Sequence, residues 1–217
     1  MKEIAIFDLD GTIDRADTFV PFLVGVLLRS PRRWWRLPIL VGAFVLHHIF
    51  SFRDRTWLKS FFLENIIGYR DTAPIDAYAR VFANHRCKKF CNLDVLHEIN
   101  RLRPRVKHLA IATASPDVYV KYIAAYLAIP EVISTQVATN ENGEWTGSLV
   151  DGNCHGERKR ELITQYLLLI GGVWDDVVYY SDHHSDLPTF KKAGKAIAVN
   201  PTAQLKKILS KYGIFKL

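Results

Sequence analysis

The sequence contains few cysteines, a single methionine and no low-complexity segment. Its 217 residues include three cysteines, Cys87, Cys91 and Cys154. A small and odd number of cysteines argues against a secreted disulfide framework and favours a reducing compartment. Because 49% of the residues are hydrophobic and 24% are charged, the composition excludes a disordered or fibrous chain and predicts a globular fold with a substantial core.

The amino-terminal residues lack the pattern of a secretory signal peptide. The first three residues lead directly into residues 4–7, Ile-Ala-Ile-Phe, with no long apolar stretch and no small-residue cleavage site. We therefore expect the catalytic part of the protein to lie in the cytoplasm.

No uncharged run reaches the roughly 20 apolar residues that span a bilayer. Residues 18–28 carry no charge, and residues 37–52 contain no acidic, lysine or arginine residue. A simple transmembrane helix is therefore disfavoured. Between the two runs lies a basic, aromatic segment that contains Arg29, Arg32, Arg33, Trp34, Trp35 and Arg36.

Two interpretations of these runs stay open. They can be two helices that bury each other. Alternatively, they contact the membrane, either at its interface or as a re-entrant segment, with tryptophan rings at the level of the lipid head groups and arginines on anionic lipid. We favour the second interpretation, and expect the protein to be peripheral on the inner face of the cytoplasmic membrane with an anionic membrane surface as a partner.

The charge balance also permits an anionic partner. Twenty-nine lysines and arginines against 22 acidic residues give a net charge of +7, which suits a nucleic acid, a membrane surface or a phosphorylated substrate. Because the basic residues cluster beside apolar runs and no base-stacking module is present, we expect no nucleic-acid partner.

Short apolar runs alternate with helical segments in most of the chain. The runs at residues 4–7, 108–112, 177–180 and 196–199 each end in polar residues, and helical segments follow at residues 116–127, 157–170, 187–193 and 203–209. This alternation predicts an α/β fold with a Rossmann-like, doubly wound parallel sheet, whose ligands bind at the carboxyl ends of the strands.

Two segments interrupt the alternation. Residues 17–102 form a largely apolar helical insertion after the first strand, which we call the insert. Residues 134–150 alternate around Asn142 and Gly143, which predicts a β-hairpin with its turn at that pair.

Polar residues with catalytic potential follow the predicted strands. Asp8 and Asp10 are two residues apart after the first strand, so both carboxylates can face one site. A hydroxyl at Thr113, an amine at Lys159 and two further carboxylates fall at or just beyond the ends of other predicted elements. These carboxylates belong to Asp182 and Asp186.

The order of these motifs resembles the four motifs of the haloacid dehalogenase (HAD) superfamily. Residues 8–12 read Asp-Leu-Asp-Gly-Thr, Thr113 follows an apolar strand, residues 156–159 read Gly-Glu-Arg-Lys and residues 181–186 read Ser-Asp-His-His-Ser-Asp. The sequence looks most like the phosphoserine-phosphatase-like branch, subfamily IB. The resemblance implies a phosphatase core at residues 1–16 and 103–217, and a helical, apolar cap at residues 17–102.

The resemblance implies a role for each motif residue. Asp8 would attack phosphorus and form an aspartyl-phosphate, while Asp10 would act as general acid and then as general base. Phosphate binding would involve Gly11, Thr113, Ala114 and Lys159. Mg²⁺ would be held by Asp8, the backbone carbonyl of Asp10, Asp182 and, directly or through water, Asp186.

The substrate is less well defined by the motifs. Residues 113–116 read Thr-Ala-Ser-Pro where phosphoserine phosphatases usually have Ser-Gly-Gly-Phe, and Lys59 is only a loose match for the arginine of their cap. The apolar, basic insert looks more like that of phosphatidylglycerophosphatases of the C type. We therefore expect a membrane-associated enzyme of phospholipid metabolism. The alternative is a soluble small-molecule phosphatase, such as a phosphoserine phosphatase, and a non-catalytic phospho-ligand module is a third interpretation.

Overall fold

The computed structural model describes residues 3–50 and 54–217. The strands in that part of the chain are β1 (Ile4–Phe7), β2 (Arg70–Asp71), β3 (His108–Pro116), β4 (Glu131–Thr135), β5 (Val137–Thr139), β6 (Glu144–Leu149), β7 (Val177–Ser181), β8 (Lys195–Ala198) and β9 (Phe215–Lys216). The helices are α1 (Phe19–Leu28), α2 (Leu37–Phe50), α3 (Arg55–Ile66), α4 (Thr72–Lys89), α5 (Leu93–Leu102), α6 (Asp117–Tyr126), α7 (Glu157–Leu169), α8 (Leu187–Phe190) and α9 (Ala203–Lys206).

Six strands form one parallel sheet in the order β4-β3-β1-β7-β8-β9. In this sheet Phe7, at the end of β1, is paired with Ile111 of β3 and Tyr180 of β7. The residues that follow these three positions therefore lie close together at the carboxyl ends of the strands. The predicted α/β fold with a parallel sheet is confirmed.

The two faces of the sheet are covered by different helices. Ala5 and Phe7 of β1 pack with residues of α4, α5 and α6, whereas Ile4 and Ile6 pack with residues of α7, α8 and α9. This alternation follows from the two-residue period of a strand, and it explains why β1 has no polar residue. Each large apolar side chain buried in this way contributes about 1.5–3 kcal/mol.

A second, three-stranded sheet has the order β2-β6-β5, and it matches the predicted hairpin in part. Strands β5 and β6 pair antiparallel, and the backbone of Asn140 accepts a hydrogen bond from Gly143, which has a positive φ of 74°. Ser134 and Thr135, however, belong to β4 of the parallel sheet. The alternating polar residues of β4 resemble those of the hairpin because β4 lies at the sheet edge.

Two predicted helices are shorter than expected. The helix predicted at residues 187–193 covers only Leu187–Phe190, and that predicted at residues 203–209 covers only Ala203–Lys206. In both places the chain continues in turns rather than in α-helix, as shown by the hydrogen bonds from Lys192 to Thr189 and from Ile208 to Leu205.

Helix α1 begins near the carboxyl ends of the sheet strands and leads into the insert. Its Gly25 packs against α4 so closely that a Cβ atom there would lie 1.7 Å from the hydroxyl of Tyr78. Phe22 and Leu23 are buried, but the opposite side of the helix exposes Val20, Val24 and Leu28. No part of the chain within residues 3–50 and 54–217 covers this apolar side of α1.

Helix α2 is even more exposed. Leu40 and Ala43 are buried. The exposed apolar side chains of this helix are Leu37, Ile39, Val41, Phe44, Val45, Leu46 and Ile49. The two apolar runs therefore bury each other only in part. No helix in the described residues is both long and apolar enough to cross a bilayer.

Candidate active site

The nucleophile candidate lies directly after β1. The backbone of Asp8 donates to the carbonyl of Tyr180 at 2.8 Å, which continues the strand pairing by one residue. The chain then turns at Gly11, whose φ is +80°. A Cβ atom at Gly11 would lie 2.3 Å from Oδ2 of Asp182, so only glycine allows the loop after β7 to approach this turn.

Lys159 lies between two of the predicted carboxylates and donates a hydrogen bond to each. Its Nζ donates to Oδ1 of Asp8 at 3.0 Å and to Oδ2 of Asp186 at 2.8 Å. Lys159 is only 3% exposed, and it begins the buried side of α7. Sequence reasoning placed Asp186 with the metal, and the structure shows that this carboxylate also positions the lysine.

Asp186 is held in its ionised form. Its Oδ2 also accepts hydrogen bonds from the hydroxyls of Tyr179 and Ser181, each at 2.7 Å. Burial alone would raise the pKa of Asp186, but the charge of Lys159 and these hydrogen bonds lower it below its usual value. A fixed anion at this position keeps Lys159 charged and directed at Asp8.

Asp10 is surrounded by hydroxyl groups that the motifs do not identify. Oδ1 of Asp10 accepts hydrogen bonds from the backbone and the hydroxyl of Thr18, both at 2.7 Å, and Oδ2 accepts one from Ser115 at 2.6 Å. Tyr119 in turn donates to Ser115 at 2.8 Å. Burial raises the pKa of Asp10 despite these hydrogen bonds. A raised pKa suits a carboxyl group that must carry a proton.

The Thr113 loop contacts the insert through a partly buried lysine, Lys59. Thr113 is fully buried and accepts a hydrogen bond from the backbone of Ser115. The carbonyl of the next residue, Ala114, accepts a hydrogen bond from Nζ of Lys59 at 2.7 Å. Lys59 also donates to Oδ1 of Asn153 at 2.6 Å. Burial lowers the pKa of Lys59 to about 8.

The carboxylates of Asp8, Asp182 and Asp186 are candidate ligands for a divalent cation. Among residues 3–50 and 54–217, no three His, Cys, Asp or Glu side chains are positioned to hold a metal by themselves. Oδ1 of Asp182 and Oδ1 of Asp186 are nevertheless buried without a hydrogen-bond partner. Burial, together with the neighbouring carboxylates, raises the pKa of Asp8 to about 8 and that of Asp182 to about 7, although the charge of Lys159 acts in the opposite direction.

This arrangement fits Mg²⁺. Unpartnered carboxylate oxygens beside an excess of negative charge suit a hard cation that completes its shell with backbone carbonyl, water and phosphate oxygens. The residues that would hold it are Asp8, Asp10 through its carbonyl, and Asp182, with Asp186 nearby.

Comparison with known proteins identifies the family. A sequence profile described as "haloacid dehalogenase-like hydrolase" matches residues 5–191, which is most of the chain. The chain belongs to this family. It is therefore a phosphoric monoester hydrolase of the HAD type, as the motifs predict.

Two proteins similar to this HAD hydrolase match it over nearly their whole length. A histidinol-phosphatase of Neisseria meningitidis is 26% identical over 226 residues, covering 95% of this chain and 94% of the relative. A structure of a Bordetella pertussis protein of unknown function superposes with a TM-score of 0.84 at 19% identity, covering 100% of this chain and 98% of that one.

The branch of the family is also supported. A structure described as a phospho-aspartyl intermediate analogue of phosphoserine phosphatase superposes with a TM-score of 0.62 at 16% identity, covering 99% of this chain and 93% of that one. The chain thus has the fold of the phosphoserine-phosphatase-like branch. The likeness to phosphatidylglycerophosphatase C, the boundaries of core and cap, and the role of each site residue stay predictions.

Proposed function

We propose that the protein is a Mg²⁺-dependent phosphomonoesterase that works through an aspartyl-phosphate on Asp8. The observation that carries this proposal is the buried contact between Asp8 and Lys159, 3.0 Å long, at the end of β1. Oδ1 of Asp8 accepts this hydrogen bond, which leaves Oδ2 for attack on phosphorus. A bound Mg²⁺ supplies charge neutralisation between the carboxylate and the phosphate.

The reaction would proceed in two displacements. Oδ2 of Asp8 forms a bond to phosphorus as the bond to the leaving oxygen breaks, and Asp10 gives its proton to that oxygen. Asp10 then takes a proton from a water molecule, whose oxygen attacks phosphorus and releases Asp8. Lys159 neutralises the charge that develops on the phosphoryl oxygens, while Thr113 and the backbone of Ala114 and Gly11 lie beside the phosphoryl group.

We further propose that the substrate is a membrane-borne lipid phosphate, such as phosphatidylglycerophosphate. Exposed apolar side chains of α1 and α2 adjoin Trp35, which is 64% exposed, and the basic segment of residues 29–36. This combination of apolar, aromatic and cationic groups is typical of an interfacial membrane surface. The protein would then be peripheral on the inner face of the cytoplasmic membrane.

Not every arginine of the basic segment is available to lipid. Arg33 donates to the carbonyls of Asn65 and Gly68, and Arg36 donates to that of Asn65. These carbonyls lie at the carboxyl end of α3, so the two arginines stabilise the packing of that helix. Arg29 donates to the carbonyl of Gly25 and lies over the ring of Tyr78. Lipid contact is therefore assigned to Arg32 and to the tryptophans, chiefly Trp35, because the indole of Trp34 donates to the carbonyl of Leu27.

A second candidate function is a soluble phosphatase for a small phosphomonoester. The similarity to histidinol-phosphatase over 94% of that relative favours it. Phosphoserine is a further substrate of this class, and Lys59 at the edge of the site offers a cation for its carboxylate.

One substrate comparison tests the proposed function. Phosphate release from phosphatidylglycerophosphate in anionic vesicles is compared with release from histidinol phosphate and phosphoserine, each with Mg²⁺ and with EDTA. We expect the highest kcat/KM on the vesicles, no activity in EDTA and recovery with added Mg²⁺. Full activity after exhaustive chelation would reject the metal, and a preference for either soluble ester would reject the lipid substrate.

A further inference from the structure

An apolar groove of about 400 Å³ lies between α1, α2 and α3. Its walls include Leu23 and Leu27 of α1, Leu40 and Phe44 of α2, and Leu58 and Phe62 of α3. The volume falls within the range of about 300–1,000 Å³ that is typical of small-molecule sites. The motif residues do not line this groove, so the catalytic chemistry does not account for it.

Among residues 3–50 and 54–217, the charged residues that line the groove are Arg55 and Lys59. Lys59 contacts the carbonyl of Ala114 in the Thr113 loop, so this end of the groove lies near the catalytic site. Phe19 also lines this end, and it directly follows Thr18, which donates two hydrogen bonds to Asp10. A ligand in the groove would therefore have a polar end at the catalytic carboxylates and an apolar body pointing away from them.

Helix α1 gives the groove its length and its direction. The groove follows this helix from Phe19 to Leu27. Since each helical residue rises about 1.5 Å, the wall is on the order of 12 Å long. A linear hydrocarbon chain fits such a channel, whereas a single amino-acid side chain would fill only its first part.

One side of the groove is open. Val20 and Val24 of α1 and Val41 and Phe44 of α2 line it and are also about half exposed. These side chains belong to the same exposed apolar surface that we propose faces the membrane. A chain could therefore enter the groove sideways from the bilayer without crossing water.

We propose that this groove holds one hydrocarbon chain of the phosphorylated substrate, with the phosphate at Asp8 and the chain along α1. The inference rests on the proposed function and deepens it, because it assigns the apolar part of the lipid to named residues. The occupant follows from the charge at one end, the apolar walls elsewhere and the position of Lys59 and Phe19 beside the Thr113 loop and Thr18.

Soluble alkyl phosphates of increasing length test the groove without a membrane. Ethyl, hexyl and decyl phosphate are compared below their micelle concentrations. The kcat/KM should rise at least about tenfold from ethyl to decyl phosphate, since each fully buried methylene can contribute up to about fourfold. Titration with decyl and ethyl phosphonate, which are not hydrolysed, should show the same order of affinity.

A tryptophan placed in the groove should remove this dependence on chain length. Val24→Trp inserts a large ring into the channel, whereas Leu28→Trp places the same ring on the same helix outside it. We expect V24W to reduce the difference between decyl and ethyl phosphate to less than about threefold, because the buried methylenes lose their site. Ethyl phosphate turnover should stay unchanged, and L28W should match the wild type. If V24W proves unstable, Val41→Trp with Val45→Trp as its control repeats the comparison from α2.

The outcomes separate the groove from the proposed function. If lipid in vesicles is hydrolysed but chain length has no effect, or V24W keeps the full effect, the groove assignment alone is wrong. If histidinol phosphate or phosphoserine is preferred and no alkyl phosphate is hydrolysed, the lipid function fails and the groove assignment fails with it. A dimer in light scattering that V24W dissociates would show that a second copy occupies the groove, which also overturns the proposal.

Discussion

At the scale of single residues, Asp10 depends on a network of hydroxyls formed by Thr18, Ser115 and Tyr119. These groups direct both of its oxygens, and burial keeps its pKa raised. Such a carboxyl group is suited to protonating a poor leaving group. General-acid catalysis by Asp10 contributes little to the rate when the leaving group is already stable as an anion.

We therefore predict that Asp10→Asn and Ser115→Ala discriminate between leaving groups. On an alkyl phosphate, D10N should lower kcat/KM by at least about 100-fold, and S115A by about 10-fold because one hydrogen bond to Asp10 is lost. On para-nitrophenyl phosphate, whose leaving anion needs no proton, both losses should be several times smaller. Equal losses on the two substrates would contradict the role of Asp10 as general acid.

Lys59 makes a second prediction at this scale, which concerns pH. The pKa of this amine is lowered to about 8 by burial, so its positive charge is present below that pH and disappears as the pH rises through it. If the cation supports substrate binding, kcat/KM should decline above about pH 8. Lys59→Arg should move the decline to higher pH, because guanidinium stays charged, and Lys59→Met should be low throughout. A wild-type profile that is flat to pH 10 would exclude this role.

At the scale of secondary-structure elements, a buried ion pair anchors α4 to the loop before α1. Arg86 donates to both oxygens of Asp14, at 2.7 and 2.5 Å, and to the carbonyls of Ala16 and Asp17. This loop leads to Thr18, so the ion pair also supports the environment of Asp10.

Arg86→Met should destabilise the protein by about 3–5 kcal/mol, because it leaves the carboxylate of Asp14 buried without its partner. The exposed pair of Lys107 and Glu3 offers a matched control, and Lys107→Gln should leave the free energy of unfolding almost unchanged because solvent screens this pair. The free energy of unfolding in urea measures both. An R86M cost as small as that of K107Q would show that the pair is not needed to hold α4.

The elements also show what sequence could predict. The apolar runs of β1, β3, β7 and β8 are strong signals because both faces of a central parallel strand are buried. The edge strands β4 and β9 were not identified, since edge strands are short and contain polar residues. For α1 and α2 the sequence leaves two interpretations open, packing or exposure, because an apolar run does not show whether its partner lies in the same chain.

The motif residues of the site could be predicted from the sequence, but the contacts that position them could not. Asp8 follows β1, Lys159 lies in the first turn of α7 and Asp186 lies in the loop after β7. The motifs named all three, and the structure brings them into contact. The contact between Ser115 and Asp10 joins residues 105 positions apart, and no spacing rule connects them. Asn153, which holds Lys59, lies in a loop without a recognisable pattern.

At the scale of the whole molecule, the insert concentrates exposed apolar side chains on one set of neighbouring elements. It combines α1, α2 and the tryptophans of the basic segment. The sheet instead presents its catalytic edge toward the amino-terminal end of α1, through Thr18. An interfacial enzyme would need this arrangement, because its substrate must pass from the bilayer to the carboxylates.

We predict that Arg32→Gln and Trp35→Ala together lower binding to anionic vesicles in co-sedimentation. Each arginine near the surface contributes about 1 kcal/mol of attraction, which salt weakens, while the tryptophan contribution should persist in salt. Hydrolysis of vesicle lipid should fall with binding, but that of para-nitrophenyl phosphate should not. Leu169→Ala, which removes an exposed apolar side chain from α7, should behave as the wild type. If the wild type stays in the supernatant at low salt, the membrane proposal is wrong.

The central claim is that Asp8 carries the phosphoryl group, and rapid acid quenching tests it most directly. Enzyme mixed with substrate and Mg²⁺ is quenched, digested and examined by mass spectrometry for a phosphoryl group on the peptide that contains residues 4–10. We predict that the group is found on Asp8, that with para-nitrophenyl phosphate its amount is greater in D10N because this variant slows the second displacement more than the first, and that Asp8→Asn neither carries it nor releases phosphate. Unmodified Asp8 during steady turnover, or near-normal phosphate release by D8N, would contradict the account.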